Sequence, residues 1–127
     1  MYSKRIIERF SSPSYAGGIR GGDATGRAEL GGEVVKIYLS IDENEGIETA
    51  RFKACGGVCT IVACDIVCEL LEGKTLSDAL ALNENDILNE LDEIPESKHT
   101  SLQIALDAVK LAVEDYHEKK AKENKKK

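Results

Sequence analysis

Between residues 33 and 54, apolar and polar side chains alternate with a period of two, and this pattern predicts two β-strands. The first strand runs from Glu33 to Ile41, and the second, Ile47 to Ala54, follows the turn-like sequence DENEG. A short turn between two strands predicts an antiparallel hairpin. One face of the first strand is uniformly apolar and should point into the core; its residues are Val35, Ile37, Leu39 and Ile41.

After Gly56 and Gly57 the apolar period changes from two to about 3.6, which predicts a helix. Apolar side chains cover most of its circumference up to Glu69, so this helix should lie at the centre of the domain. We call Gly56 and Gly57 the glycine junction. The first turn of a helix leaves backbone N–H groups unpaired, and we therefore expect any reaction centre of this protein at the junction.

The N-terminal region predicts one short helix followed by a loop. Ser3 is a suitable cap, and the helix should present Ile6, Ile7 and Phe10 on one side and stop before Ser11. Residues 11–32 are rich in glycine and serine, which indicates a loop with at most a short strand from Arg27 to Leu30.

The C-terminal region predicts three helices. A short helix spans Ser77 to Leu82, and a second, capped by Asn85, runs to Leu91 before Pro95 breaks the pattern. The last helix opens at Thr100 or Ser101, and its apolar stripe stops at Tyr116. The predicted fold is therefore α+β, with a small antiparallel sheet of about three strands packed against a layer of helices.

Size and charge limit the possible functions. The 127 residues fit one domain, assigned here to residues 1–117, followed by a lysine-rich tail at 118–127 that we interpret as a solvated helix end. The last ten residues carry a net charge of +4, so the other 117 carry −10, which argues against nucleic-acid binding. The sequence has no apolar run long enough to predict a membrane span. We therefore expect a cytoplasmic protein with reduced cysteines.

All four cysteines lie in or beside the glycine junction and its helix, at Cys55, Cys59, Cys64 and Cys68. Their spacing is not the CxxC pairing of zinc ribbons or ferredoxins. Cys64 and Cys68 share the apolar face of the helix, so we interpret them as core residues rather than metal ligands. Cys55 and Cys59 bracket the glycines, and Cys59 stands in the first helical turn, where the helix dipole favours a thiolate.

Several stretches together resemble the iron-sulfur cluster assembly scaffolds of the IscU and NifU N-terminal type. They are YSKRIIERF, GGEVVKIYLSI, IETARFKACGG, LLEGKTLSDALAL and IPESKHTSLQIALDAVKLAVEDY, and they span essentially residues 2 to 117. The resemblance implies a non-enzymatic scaffold that receives sulfur from a cysteine desulfurase and passes clusters to acceptor proteins.

In that family three cysteines and an aspartate hold the cluster or a zinc ion. Matched motif by motif, the three cysteine positions fall on Gly31, on Gly57 or Val58, and on Ser101, while the aspartate falls on Glu33. None of the three cysteine positions holds a cysteine here. The chaperone motif of the IscU type falls on residues 94–98 and keeps only Pro95 and Lys98, so docking to that chaperone is not expected.

A rebuilt site is possible with other residues. Cys55, Cys59, His99 and Glu33 would supply two thiolates, an imidazole and a carboxylate to a [2Fe–2S] cluster or to Zn²⁺. Two alternatives remain open at this point. The chain could be a divergent paralogue that has lost cluster assembly and binds a cysteine desulfurase as a regulatory partner, or a small thiol-based sulfur carrier that uses Cys55 or Cys59.

Overall fold

The computed structural model of the protein describes residues 2–91, 94 and 98–125. The elements in chain order are α1 (Lys4–Ser11), β1 (Ala24–Leu30), β2 (Glu33–Ile41), β3 (Ile47–Cys55), α2 (Val58–Leu71), α3 (Leu76–Leu80), α4 (Glu84–Leu88) and α5 (His99–Lys125). The strands form one antiparallel sheet in the order β1-β2-β3, with helices packed against it, which confirms the predicted α+β fold. None of the helices in this part of the chain is both long and apolar enough to cross a membrane.

The structure contains the predicted β2–β3 hairpin, and the third predicted strand, β1, is longer than expected. Val35, Ile37 and Leu39 of β2 are fully buried, as their alternation indicates. β1 is longer than predicted, because it begins at Ala24 instead of Arg27. Its buried positions are small residues, and a Cβ atom at Gly26 would collide with the backbone of Ala108 and Ala112. Glycine is therefore required where α5 crosses β1. Because the buried residues of β1 are small, the sequence of this strand shows only a weak alternation of apolar and polar side chains.

Helix α2 is the central element, as predicted. Ten of its fourteen residues are buried, and they lie between the sheet on one side and α5 on another. The buried set includes one charged side chain, Asp65, whose residue is only 1% exposed. A buried carboxylate needs partners, and Asp65 has two: it accepts from Arg9 Nη1 at 2.9 Å and from the Tyr15 amide at 2.8 Å.

Helix α1 begins as predicted and ends at Ser11, one residue later than predicted. Ser3 caps it by accepting from the Ile6 amide. Of the three apolar residues on one side of this helix, only Ile6 is buried, whereas Ile7 and Phe10 are 49% and 39% exposed. A helix of two turns makes one apolar contact with the core, and the Arg9–Asp65 ion pair holds its C-terminal end against α2.

The C-terminal helices follow the prediction with shifted boundaries. Thr75 and Asn83 cap α3 and α4 in capping boxes, so these helices begin one and two residues earlier than predicted. α5 begins at His99 and extends to Lys125, and residues 118–123 are exposed, in agreement with a solvated helix end. The predicted break at Pro95, and most of the chaperone-like segment 94–98, lie outside the described residues.

Candidate functional site

The carboxylate of Glu33 binds the glycine junction directly. Glu33 is the first residue of β2, and its Oε1 accepts from the Gly57 amide at 2.7 Å. Gly57 is the N-cap of α2 and has no side chain with which to cap the helix. Glu33 therefore brings a negative charge to the positive end of the helix dipole, supplied by a residue that is distant in sequence.

A second set of hydrogen bonds joins the junction to the start of α5. Thr60 Oγ1 lies 2.9 Å from Glu33 Oε2 and 3.0 Å from Ser101 Oγ. Thr60 is fully buried and Ser101 is 6% exposed, so these hydroxyl groups have lost their contacts with water. We call this set of residues, Glu33, Gly57, Thr60 and Ser101, the junction network.

The junction network joins the places to which the family resemblance assigns ligands. Glu33 stands at the aspartate position, while Gly57 and Ser101 stand at or beside two of the cysteine positions. The remaining position, Gly31, is exposed in the β1–β2 turn with φ +58°, a backbone conformation that favours glycine. Hydrogen bonds therefore link Glu33, Gly57 and Ser101 through Thr60, while Gly31 lies outside this network.

The two cysteines nearest the junction lie in different environments. Cys55 ends β3, is exposed, and stands opposite Val34, the neighbour of Glu33. Cys59 lies in the first turn of α2 and is only 3% exposed. A hydrogen bond with the Cys59 side chain raises the pKa of Tyr2, so the N-terminal segment contacts this thiol. Cys55 alone of the two is open to a partner or a reagent in this conformation.

Cys64 and Cys68 are core residues, as their shared apolar face indicates. Both are 0% exposed and pack within the apolar cluster. Burial is the main cause that raises the pKa of each thiol, and the nearby Asp65 carboxylate adds to it for Cys64. Neutral, buried thiols of this kind are poor nucleophiles and poor metal ligands.

The four residues predicted as ligands surround the junction without forming a metal cluster. Glu33 is half-buried, and His99 begins α5 two residues before Ser101. Across residues 2–91, 94 and 98–125, no group of three or more His, Cys, Asp or Glu side chains is arranged to hold a metal ion. One cause is visible: Cys59 is buried, with a residue exposure of only 3%.

Sequence reasoning missed Thr60 and Asp65. Each is a polar residue inside a helix that is otherwise apolar, and each is buried with specific partners from other elements. That contrast was visible in the sequence and could have indicated both residues. Their partners Ser101, Arg9 and Tyr15 carried no such signal, because they lie 41, 56 and 50 residues away along the chain.

Comparisons with known proteins place the chain in a family. The family model of the NifU-like N terminal domain matches residues 1–123. The iron-sulfur cluster assembly scaffold protein IscU of Escherichia coli is 33% identical over 124 residues, which cover 94% of this chain and 96% of that protein. The iron-sulfur cluster assembly protein IscU of Plasmodium falciparum is 36% identical over 124 residues, covering 93% of this chain and 75% of that protein.

The fold is also similar to a solved structure. The crystal structure of a nitrogen-fixing NifU-like protein (N-terminal) from Brucella abortus matches with a TM-score of 0.72 and 18% identity, covering 92% of this chain and 94% of that one. At this identity the likeness shows the fold alone. The family model and the curated relatives span nearly the whole sequence, and the chain belongs to the NifU-like N-terminal domain family.

Proposed function

We propose that this protein is a scaffold-type domain of iron-sulfur cluster assembly, which carries iron or a cluster as cargo and catalyses no reaction of its own. The observation that supports it best is the convergence of β2, the glycine junction and the start of α5 on the junction network. The names of its relatives support the same function. The expected partners are a cysteine desulfurase, which supplies sulfur, and acceptor proteins that receive the cluster.

The proposed ligands are Cys55, Cys59, His99 and Glu33. Cys55 is exposed and lies opposite Val34, the residue that follows Glu33 on β2. Cys59 directly precedes Thr60, whose side chain contacts Ser101 near the start of α5. Loading this site requires a local change at Cys59, because this thiol is buried and its side chain is hydrogen-bonded to Tyr2. Glu33 can bind cargo while it keeps its present hydrogen bonds, because each carboxylate oxygen has a second lone pair. The donors then suit either a [2Fe–2S] cluster or Zn²⁺.

Anaerobic reconstitution tests the scaffold function. The full chain is incubated with iron and sulfide, or separately with Zn²⁺, desalted, and measured by absorbance and metal analysis. The same measurement is made on Cys55→Ser and Cys59→Ser, with Cys68→Ala as a control that removes a thiol from the core. Loss of metal in the first two variants and retention in the control supports the ligand set. A wild-type chain that binds neither cargo contradicts the scaffold function, and a cluster that survives both serine substitutions contradicts the ligands.

The junction network favours a second candidate, a paralogue that binds a cysteine desulfurase without assembling clusters. In this candidate the hydrogen bonds of Glu33, Thr60 and Ser101 maintain the shape of the site in place of metal ligands. The test adds the chain to a desulfurase and a cluster-forming scaffold and follows cluster formation. Inhibition that rises with concentration, by a chain that takes up no metal, supports this candidate. Failure to bind the desulfurase at moderate salt contradicts it.

The exposure of Cys55 favours a third candidate, a sulfur carrier. The Cys55 thiolate would attack the outer sulfur of a desulfurase persulfide, form a new S–S bond, and release the desulfurase cysteine as a thiolate. Mass spectrometry after incubation with desulfurase and cysteine should then show the mass of one added sulfur, absent in Cys55→Ser. An unmodified wild-type chain contradicts this candidate.

A further inference from the structure

The edge of the sheet formed by β1 carries backbone groups without partners. The Thr25 amide points away from β2, because it donates to Asp115 Oδ2 at 2.9 Å. N–H groups alternate in direction along an antiparallel strand, so the amides of Arg27 and Glu29 also point away from β2. Within the described part of the chain, neither has a backbone or side-chain acceptor on that side.

The opposite edge of the sheet is covered. On β3 the Phe52 amide donates to the Tyr15 carbonyl at 3.0 Å, and the Phe52 carbonyl accepts from the Gly17 amide at 2.7 Å. The Ala50 amide donates to Glu72 Oε2 at 3.0 Å. The chain thus covers one edge with its own loop and side chains and leaves the other open at residues 27–29. An open edge is a template for another strand.

We propose that the open edge of β1 pairs with the same edge of a second copy of this chain, in an antiparallel two-fold dimer with Ala28 opposite Ala28. In this register Arg27 of each copy exchanges backbone hydrogen bonds with Glu29 of the other. A two-fold interface must be self-complementary, since the same patch serves both subunits. The edge of β1 meets this requirement, because the outward-facing backbone groups of Arg27 and Glu29 pair with the same groups of the second copy.

The side chains on the outer face are complementary in the same register. Arg27 and Glu29 are 52% and 55% exposed and lie on one face, where Arg27 Nη2 contacts Glu29 Oε2 at 3.0 Å. With Ala28 on the two-fold axis, each Arg27 stands directly opposite a Glu29 of the other copy. Opposite charges in this position stabilise a strand pair, whereas like charges destabilise it. Charge complementarity therefore selects this register.

The other face supplies an apolar contact. Leu30 and Leu111 are 47% and 40% exposed, unusually high values for large hydrophobic side chains in this chain. In the proposed register Leu30 stands opposite Gly26 of the second copy, on the side covered by α5. A shallow groove of about 260 Å³ lies there; Gly26 and Leu111 are its apolar part, and the carboxylates of Glu114, Asp115 and Glu118 are among its polar lining. Leu30 of one copy would lie against Leu111 of the other at the apolar part of this groove, twice per dimer.

Charge reversal tests the dimer with the full chain. Sedimentation equilibrium in reducing buffer is measured for the wild type, Arg27→Glu, Glu29→Arg, and the double variant with both changes. The wild type should show a concentration-dependent dimer. Each single variant places like charges opposite each other at two positions and should weaken the dimer about tenfold. The double variant restores opposite charges and should recover the dimer.

A matched control separates this effect from a change in net charge. Glu48→Arg reverses an exposed charge on β3, on the covered side of the sheet, and should leave the dimer unchanged. Far-UV circular dichroism confirms that each variant is folded. The proposal is overturned if the wild type sediments as a monomer at every concentration, if the single variants behave like the control, or if the double variant does not recover.

Discussion

The Oγ1 atom of Thr60 lies 2.9 Å from Oε2 of Glu33, and this contact fixes the first turn of α2 to the start of β2. Thr60 also contacts Ser101 Oγ at 3.0 Å, so one hydroxyl joins three elements. Because the Thr60 side chain is fully buried, its hydrogen bonds have no competing water. Thr60 therefore links β2, α2 and α5 at the candidate site, beside the direct hydrogen bond from the Gly57 amide to Glu33.

Replacing Thr60 with valine should therefore destabilise the protein. The substitution nearly preserves volume, removes the donor to Glu33 and leaves the buried Ser101 hydroxyl without this partner. The expected loss is about 1–3 kcal/mol in the free energy of unfolding, measured by urea denaturation. Thr25→Val is the control, since its side chain is exposed and the change should stay within about 0.5 kcal/mol. Equal effects of the two substitutions would contradict the role of the junction network.

The Arg9–Asp65 ion pair should contribute more than the neighbouring Arg9–Glu69 pair. The Asp65 side chain is 2% exposed and binds both Arg9 and the Tyr15 amide, whereas the Glu69 side chain is 42% exposed. Asp65→Ala leaves these donors unsatisfied and should cost about 3–5 kcal/mol of the free energy of unfolding. Glu69→Gln should cost less than about 1 kcal/mol. Thermal and urea denaturation of both variants measure the difference, and similar losses would show that Asp65 does not anchor α1.

Gly26 should tolerate no side chain. Gly26→Ala forces a Cβ atom against the backbone of Ala108 and Ala112, and neither backbone can rotate away as a side chain would. We expect a loss of about 1–3 kcal/mol or more in the free energy of unfolding, measured by urea denaturation. At Gly18 a Cβ atom would lie 3.4 Å from the flexible end of Lys53, so Gly18→Ala is the matched control and should be tolerated. A Gly26→Ala protein as stable as this control would contradict the close packing of α5 on β1.

The two core thiols should make the protein less stable at alkaline pH. Burial raises the pKa values of Cys64 and Cys68 in the folded state. Their stabilising contribution is thus complete below the unfolded pKa of about 8.5, and falls as pH rises toward the folded values. Above about pH 9 each thiol should reduce the free energy of unfolding by about 1.4 kcal/mol per pH unit, since the unfolded chain releases one more proton.

The measurement compares wild type with a Cys64→Ala/Cys68→Ala variant by urea denaturation under reducing conditions from pH 7 to pH 10. The variant will be less stable at pH 7, because it loses buried volume, but its stability should fall less steeply above pH 9. Parallel curves for the two proteins would mean that the core thiols do not control this part of the pH dependence.

The sequence alone predicted the elements whose signal is local. The β2–β3 hairpin, the centrality of α2 and the core positions of Cys64 and Cys68 follow from periodicity, because burial of one face is encoded in the spacing of apolar residues. The first part of β1 was missed, since Ala24, Gly26 and Ala28 are buried through small side chains that give little hydrophobic contrast. The sequence placed Ile6, Ile7 and Phe10 on one side of α1, but periodicity could not tell that only Ile6 of the three would be buried.

At the candidate site, the sequence determined which chemical groups stand near the glycine junction, and only the tertiary structure decided how they are used. The sequence placed both Cys55 and Cys59 beside the glycines, yet the fold exposes Cys55 and buries Cys59, whose side chain contacts Tyr2. Glu33 looks like a free carboxylate, yet it caps α2 and binds Thr60. The physical reason is the same in both cases: these contacts join residues that are far apart along the chain, and local patterns of polarity carry no information about which distant groups will meet.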